Sequence, residues 1–153
     1  RWTRKGQRPL CRMKVGYQFC YLYTALCPST GHLLCLILPD MTKASFCLFC
    51  RFFAEQVKAT WGKRKVLLIC DGAGAHQSNV CSQHGFTLQR LPAYCPELNP
   101  VERFFEELRK DLSNQVYTNI GEAENHLAQI LQPYFQNKHK IIQLTNYSYI
   151  RTE

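Results

Sequence analysis

Residues 66–70 read VLLIC, five consecutive apolar residues that stop at Asp71-Gly72. This run restricts the possible folds more than any other stretch. It shows neither helical nor alternating periodicity, and it falls far short of the roughly 20 residues that a membrane-spanning helix needs. A short, uniformly apolar run suits a strand buried on both faces. Covering both faces takes layers above and below, so the expected fold is an α/β domain with helices flanking a sheet. Ligands of such sheets gather beyond the carboxyl ends of the strands. Asp71 stands at that end, and GAGAH (72–76) keeps the backbone small enough for a large substrate to approach. An Asp-Gly turn after a strand accounts for the same residue without any chemistry.

The rest of the chain supplies the layers. Residues 11–26 are rich in aromatics and read as one or two strands, CPSTGH (27–32) as a turn, and LLCLIL (33–38) as a hairpin partner. After PDMTK, where Thr42 is a candidate cap, Phe46, Cys47, Phe49, Cys50, Phe53 and Val57 recur at helical spacing to about Thr60. FTLQRL (86–91) is another short strand, and Val101, Phe105, Leu108 and Leu112 line one face of a helix. A last helix is expected over 121–136, disturbed at Pro133. No repeat or linker divides the sequence, so residues 1–153 form one domain with a mixed sheet.

Composition narrows the partners. With 46% hydrophobic and 20% charged residues the chain is globular, and its apolar runs are too short for a membrane. Its opening, RWTRKGQRP, lacks the apolar core of a secretory signal, so a cytoplasmic location is expected. The nine cysteines read as reduced core thiols. Cys47 and Cys50 form a C-x-x-C inside an apolar helical pattern, and no second ligand pair follows to complete a zinc site. Trp2, Tyr17, Trp61 and Tyr94 read as core or hinge packing. The net charge of +8 is uneven: Arg1, Arg4, Lys5, Arg8, Arg12 and Lys14 crowd a stretch with no acidic residue before Asp40. Lys58, Lys63, Arg64 and Lys65 form a second cluster. Such a surface neutralises phosphates, as on DNA, or is simply a solvated basic tail.

Three prolines and an asparagine crowd LPAYCPELNPVE (91–102), ahead of the helix lined by Val101 and Leu108. Asn99 fits the N-cap, Pro100 the first helical position, and Glu102 the third, the spacing of a capping box. A carboxylate on a rigidly set first turn can also face the end of a neighbouring strand, where it would join Asp71 on a divalent cation. The residues alone leave both readings open.

LLICDGAGAHQSN followed by LQRLPAYCPELNPVERFFEELRKDL resembles the DDE-type transposases, specifically the mariner-like superfamily and its bacterial insertion-sequence branch. That family's pattern is an apolar strand ending in Asp, a small stretch and a His, then a strand and L-P-x-Y-S-P-x-L-N-P-x-E. Asp71, His76, Leu91, Pro92, Tyr94, Pro96, Leu98, Asn99, Pro100 and Glu102 fall into it, with Cys95 in place of Ser and Ala93 where Pro is frequent. RWTRKGQRP, residues 16–40 and IIQLTNYSYIR are similar to the same group. The resemblance implies an RNase H-like mixed sheet flanked by helices, with Asp71 and Glu102 as second and third members of a metal-binding catalytic triad. It implies two Mg²⁺ or Mn²⁺ ions, a homodimer when intact, and DNA as partner, namely the element's terminal repeats and its target. The reaction implied is in-line attack on a phosphodiester, giving strand cleavage and strand transfer in a nucleoid-associated bacterial protein. His76 lines the site or buttresses its loop, Asn99 stands beside it, and the six basic residues from Arg1 to Lys14 contact the DNA backbone.

The family's first Asp lies on a strand upstream of the W-x-x-x-G-Q-x-P segment, which here is Trp2 to Pro9. The chain begins just there, and without Met. The expectation is therefore an N-terminally truncated catalytic domain that lacks the first strand, its carboxylate and any separate DNA-binding domain. Its activity would depend on an upstream-encoded transposase chain. The alternative is a catalytically inactive fragment that only binds DNA or a partner chain.

Overall fold

The computed structural model describes residues 18–74, 76–148 and 150. Strands β1 (Tyr21–Leu26) and β2 (Leu33–Leu38) form the expected antiparallel hairpin, in register from Tyr21 opposite Leu38 to Leu26 opposite Leu33. Its turn is closed by Cys27 N–H to His32 O (2.9 Å) and Gly31 N–H to Cys27 O (2.8 Å). Gly31 has φ +70°, and a Cβ there would lie 2.3 Å from the carbonyl oxygen of Lys138, so both conformation and space call for glycine.

Alternation sends the hairpin's side chains into two cores. Tyr23, Ala25, Leu34, Leu36 and Leu38 pack with Phe46, Phe49 and Cys50 of helix α1 (Lys43–Trp61). On the opposite face, Leu22, Leu26, Leu33, Cys35 and Ile37 meet helices α3 (Pro100–Leu112), α4 (Ile120–Gln136) and α5 (Lys138–Thr145) through Phe104, Leu108, Leu127, Leu131 and Ile141. Thr42 caps α1 as expected, accepting from Ser45 N. Asp40 supports that cap, accepting from Thr42 N (3.1 Å), Thr42 Oγ1 (2.7 Å) and Ser45 Oγ (2.6 Å). The Ser45 hydroxyl and the Thr42 donors hold its carboxyl below the ordinary carboxylate range. A depressed pKa contributes stability above the unfolded-state value that disappears as pH falls through the folded one. Asp40→Asn should therefore be less stable than wild type at neutral pH, and urea unfolding should show the gap closing in acid.

Strands β3 (Leu67–Cys70) and β4 (Thr87–Arg90) are parallel, Leu67 opposite Thr87 and Cys70 opposite Arg90. They are joined through helix α2 (Ser78–Gln83), which the sequence pattern does not predict. Val66, Leu68 and Leu88 pack against the α1 core together with Val80, Cys81 and Phe86. Burial pushes the thiols of Cys50 and Cys81 up, and both behave as the expected packing groups.

Three expectations are corrected. VLLIC is not buried on both faces: Leu67 and Ile69 are 55% and 51% exposed, because α1 and α2 cover one side of β3 and no described element covers the other. The hairpin is the doubly covered element. The strands form two separate two-stranded sheets, one antiparallel and one parallel, with no ladder between β1 and β3 among the described residues. Pro133 leaves α4 intact to Gln136: it sits on the exposed side near the helix end, where water can serve the carbonyl that its missing N–H leaves unpaired. Helix α5 was also unforeseen, and Phe104, not assigned to the α3 face, is its most buried residue.

Candidate functional site

Asp71 follows the last residue of β3, and β4 ends alongside it: Leu91 N–H donates to Cys70 O at 2.8 Å. The proline-rich segment thus leaves the sheet beside Asp71 and runs to α3. Asp71 is 60% exposed. Its Oδ1 accepts from Ala73 N (3.1 Å), which makes the Asp-Gly turn real, and lies 2.8 Å from His76 Nδ1. That approach is close but off the axis of an N–H···O bond, so Nδ1 lacks a well-directed partner in a buried position. Among the described residues no hydrogen bond or ion pair to Oδ2 occurs.

His76 stiffens the loop after β3. Its N–H donates to Ala73 O (3.0 Å), its carbonyl accepts from Arg90 Nη2 (2.7 Å), and its ring lies 4.9 Å from that of Phe46. These contacts are those of a residue that buttresses its loop. Beside Asp71, burial and the carboxylate push the Cys70 thiol up to about 11, with Arg90 pulling the other way. It stays protonated at neutral pH and is no soft ligand there.

The start of α3 departs from the expected capping box. Asn99 is the N-cap, its Oδ1 accepting from Val101 N at 3.2 Å, and Pro100 opens the helix. The Asn99 N–H, which a box would give to Glu102, is already taken by Pro96 O (2.9 Å) in the 3-10 turn Pro96–Leu98. Asn99 Oδ1 serves Val101 N instead of the Glu102 N–H, so neither arm of the box forms, and the Glu102 carboxylate, 39% exposed, is left over. Its nearest partner is Arg109 Nη2 at 3.9 Å. Helix α4 shows the contrast: Asn119 Oδ1 accepts from Glu122 N (2.9 Å), and the Glu122 carboxylate turns back to Thr118 N (2.7 Å) and Thr118 Oγ1 (2.6 Å). There the acid is consumed by its helix; at α3 it is free for other use.

No bond joins Asp71 to Glu102, and no group of three metal-ligating side chains occurs among the described residues. Arg1, Arg4, Lys5, Arg8, Arg12 and Lys14, with Trp2 and Tyr17, lie outside the described residues. Lys63, Arg64 and Lys65 stand exposed just before β3. Trp61 packs edge-on against His32 (4.6 Å), in keeping with the packing expectation. Tyr94 departs from the packing expectation: its ring is fully exposed. The signal for that was its position between Pro92 and Pro96, in a segment too restrained to fold its side chain back onto the core.

The family model described as DDE superfamily endonuclease matches residues 1–124, a span that holds Asp71, His76, Asn99 and Glu102. An uncharacterized protein of Sinorhizobium fredii, y4pE/y4sA, is 30% identical over 108 residues, covering 69% of this chain and 78% of that relative. No solved structure gives a significant match. The α/β layers agree with the match, and the chain belongs to the DDE superfamily of endonucleases.

Proposed function

We propose that this chain is the catalytic domain of a transposase of the mariner-like, insertion-sequence type, acting on DNA in the bacterial cytoplasm. Its reaction is divalent-metal-dependent cleavage of DNA strands followed by strand transfer. The observation that carries the reading is the Glu102 carboxylate, set by Asn99 and Pro100 on the first turn of α3 but left out of the cap.

The donor set suits a hard cation such as Mg²⁺ or Mn²⁺: Asp71 offers Oδ2, Glu102 offers both oxygens, and the neighbouring thiol is protonated. Asp71 and Glu102 would hold the metal. When bound, it supplies charge stabilisation for phosphoryl transfer. His76 stands 2.8 Å from Asp71 Oδ1, and the basic residues neutralise the phosphates of the terminal repeats and target. None of the described helices is long and apolar enough to cross a membrane.

The third carboxylate belongs, in this reading, on a further strand between β1 and β3. Both strands have an unpaired edge among the described residues, and both sheets pack on the same helix, α1. No acidic residue precedes Asp40, so that strand comes from sequence upstream of Arg1 or from a second chain. The intact enzyme acts as a homodimer. A second reading, a fragment that binds DNA or a partner without cleaving, is favoured by the absence of a three-ligand cluster among the described residues.

Manganese binding tests the proposed ligands. Titration of Mn²⁺ followed by electron paramagnetic resonance should show affinity falling on the order of 10–100-fold in Asp71→Asn and in Glu102→Gln. Equal affinity in all three proteins would remove these residues from the metal.

A further inference from the structure

Tyr94 is the residue that the fold itself does not explain. Its side chain is 101% exposed, as open as in an extended peptide, and it makes no hydrogen bond. Its backbone has φ +60°. Every other described residue with positive φ is a glycine or an asparagine: Gly31, Gly62, Gly85 and Asn114. These types tolerate the left-handed region, whereas an aromatic side chain there is an outlier. Glycine would take this conformation without strain, and among the described residues no ring contact to Tyr94 offsets the cost. The ring is held out by its surroundings: Pro92 and Pro96 restrict the residues before them, Cys95 Sγ contacts Ala93 O (3.5 Å), and the 3-10 turn begins two residues on.

Position supplies the partner. The segment leaves β4 beside Asp71 and ends at Glu102, so Tyr94 stands on the connection between the two carboxylate-bearing elements. A rigid, presented aromatic on that connection matches the stacking platforms used for unpaired nucleobases, each of which offers a π-face whatever its identity. We infer that Tyr94 stacks on an unpaired base of the DNA strand end held at Asp71 and Glu102. It is a positioning residue that fixes the strand end in register. The inference rests on the proposed DNA-cleaving function.

The test uses this chain and a duplex with a short single-stranded 3′ tail carrying 2-aminopurine, read by anisotropy and by 2-aminopurine quenching. Tyr94→Phe and Tyr94→Trp should bind and quench as wild type does. Tyr94→Ala and Tyr94→Gly should lose roughly 5- to 150-fold in affinity for the tailed duplex, and the quenching with it. The Gly variant should melt no lower than wild type, so its loss of binding could not be blamed on unfolding. If Ala and Gly variants bind and quench as wild type does, with the usual fall in affinity at higher salt, the inference is overturned while the DNA reading stands. If wild type binds no DNA at all, both fall. Loss of binding in the Phe variant would also overturn it, since stacking does not need the hydroxyl.

Discussion

Glu102→Gln is expected to lower metal-dependent DNA nicking by roughly 10³-fold in any preparation of this protein that nicks DNA, while leaving the fold nearly untouched. Losing one metal-holding carboxylate removes about 4 kcal/mol of transition-state charge stabilisation, and each 1.36 kcal/mol is a factor of ten in rate. The structural side of the prediction comes from the cap. Asn99 Oδ1 serves Val101 N, Pro96 O serves Asn99 N, and neither bond involves the Glu102 side chain. Helix α3 therefore loses only the favourable placement of a negative charge in its first turn and a long contact to Arg109, about 0.5–1 kcal/mol together. Activity should collapse with a thermal midpoint only slightly lower. A large fall in the midpoint would mean that Glu102 is a structural residue after all. Glu122→Gln provides the opposite control, because that carboxylate is engaged at the start of α4: stability should fall and nicking should follow the folded fraction.

The largest stability effect is expected from Phe104→Ala. Phe104 is fully buried where α3 meets the outer face of the hairpin, with its ring perpendicular to Tyr134 at 5.1 Å. Leu33, Leu108, Leu127, Leu131 and Ile141 close around it. Truncation of a buried Phe costs about 3–5 kcal/mol, because the cavity collapses only in part. For a chain of this size that corresponds to a fall of roughly 6–20 °C in the thermal midpoint, readable by calorimetry. Phe105, one position on and only half-buried, should cost clearly less on the same change.

The contrast between these two phenylalanines shows how far the sequence could be read. Helix α3 was legible from its cap and its apolar spacing, but Val101, Phe105, Leu108 and Leu112 satisfy that spacing about as well as a set built on Phe104. Which ring faces the core is decided by Tyr134 and the hairpin, and those are tertiary facts. The hairpin was legible because CPSTGH separates two apolar runs. Its double burial was not, since β2 and β3 present the same kind of run and differ only in which helices cover them. Helix α2 is too short, at six residues, to display a period. Glu102 was found by its spacing and by resemblance to a family. Its release from the cap depends on the 3-10 turn at Pro96–Leu98, which takes the donor that the capping box needs. Tyr94 was misread as packing because aromatics usually are, and the proline restraint on either side of it was the available sign.

The central claim is tested most directly by nicking of a duplex that carries the element's terminal repeats, in Mg²⁺ or Mn²⁺. The chain is assayed alone and together with the segment encoded upstream of Arg1, each also as Asp71→Ala and Glu102→Ala. The account predicts metal-dependent nicking when the proposed further strand and its carboxylate are supplied, abolished by either substitution. No nicking in any combination would favour the reading in which the chain binds without cleaving. Nicking that survives the loss of Asp71 or Glu102 would contradict the account, because the cleavage would then be carried by other residues.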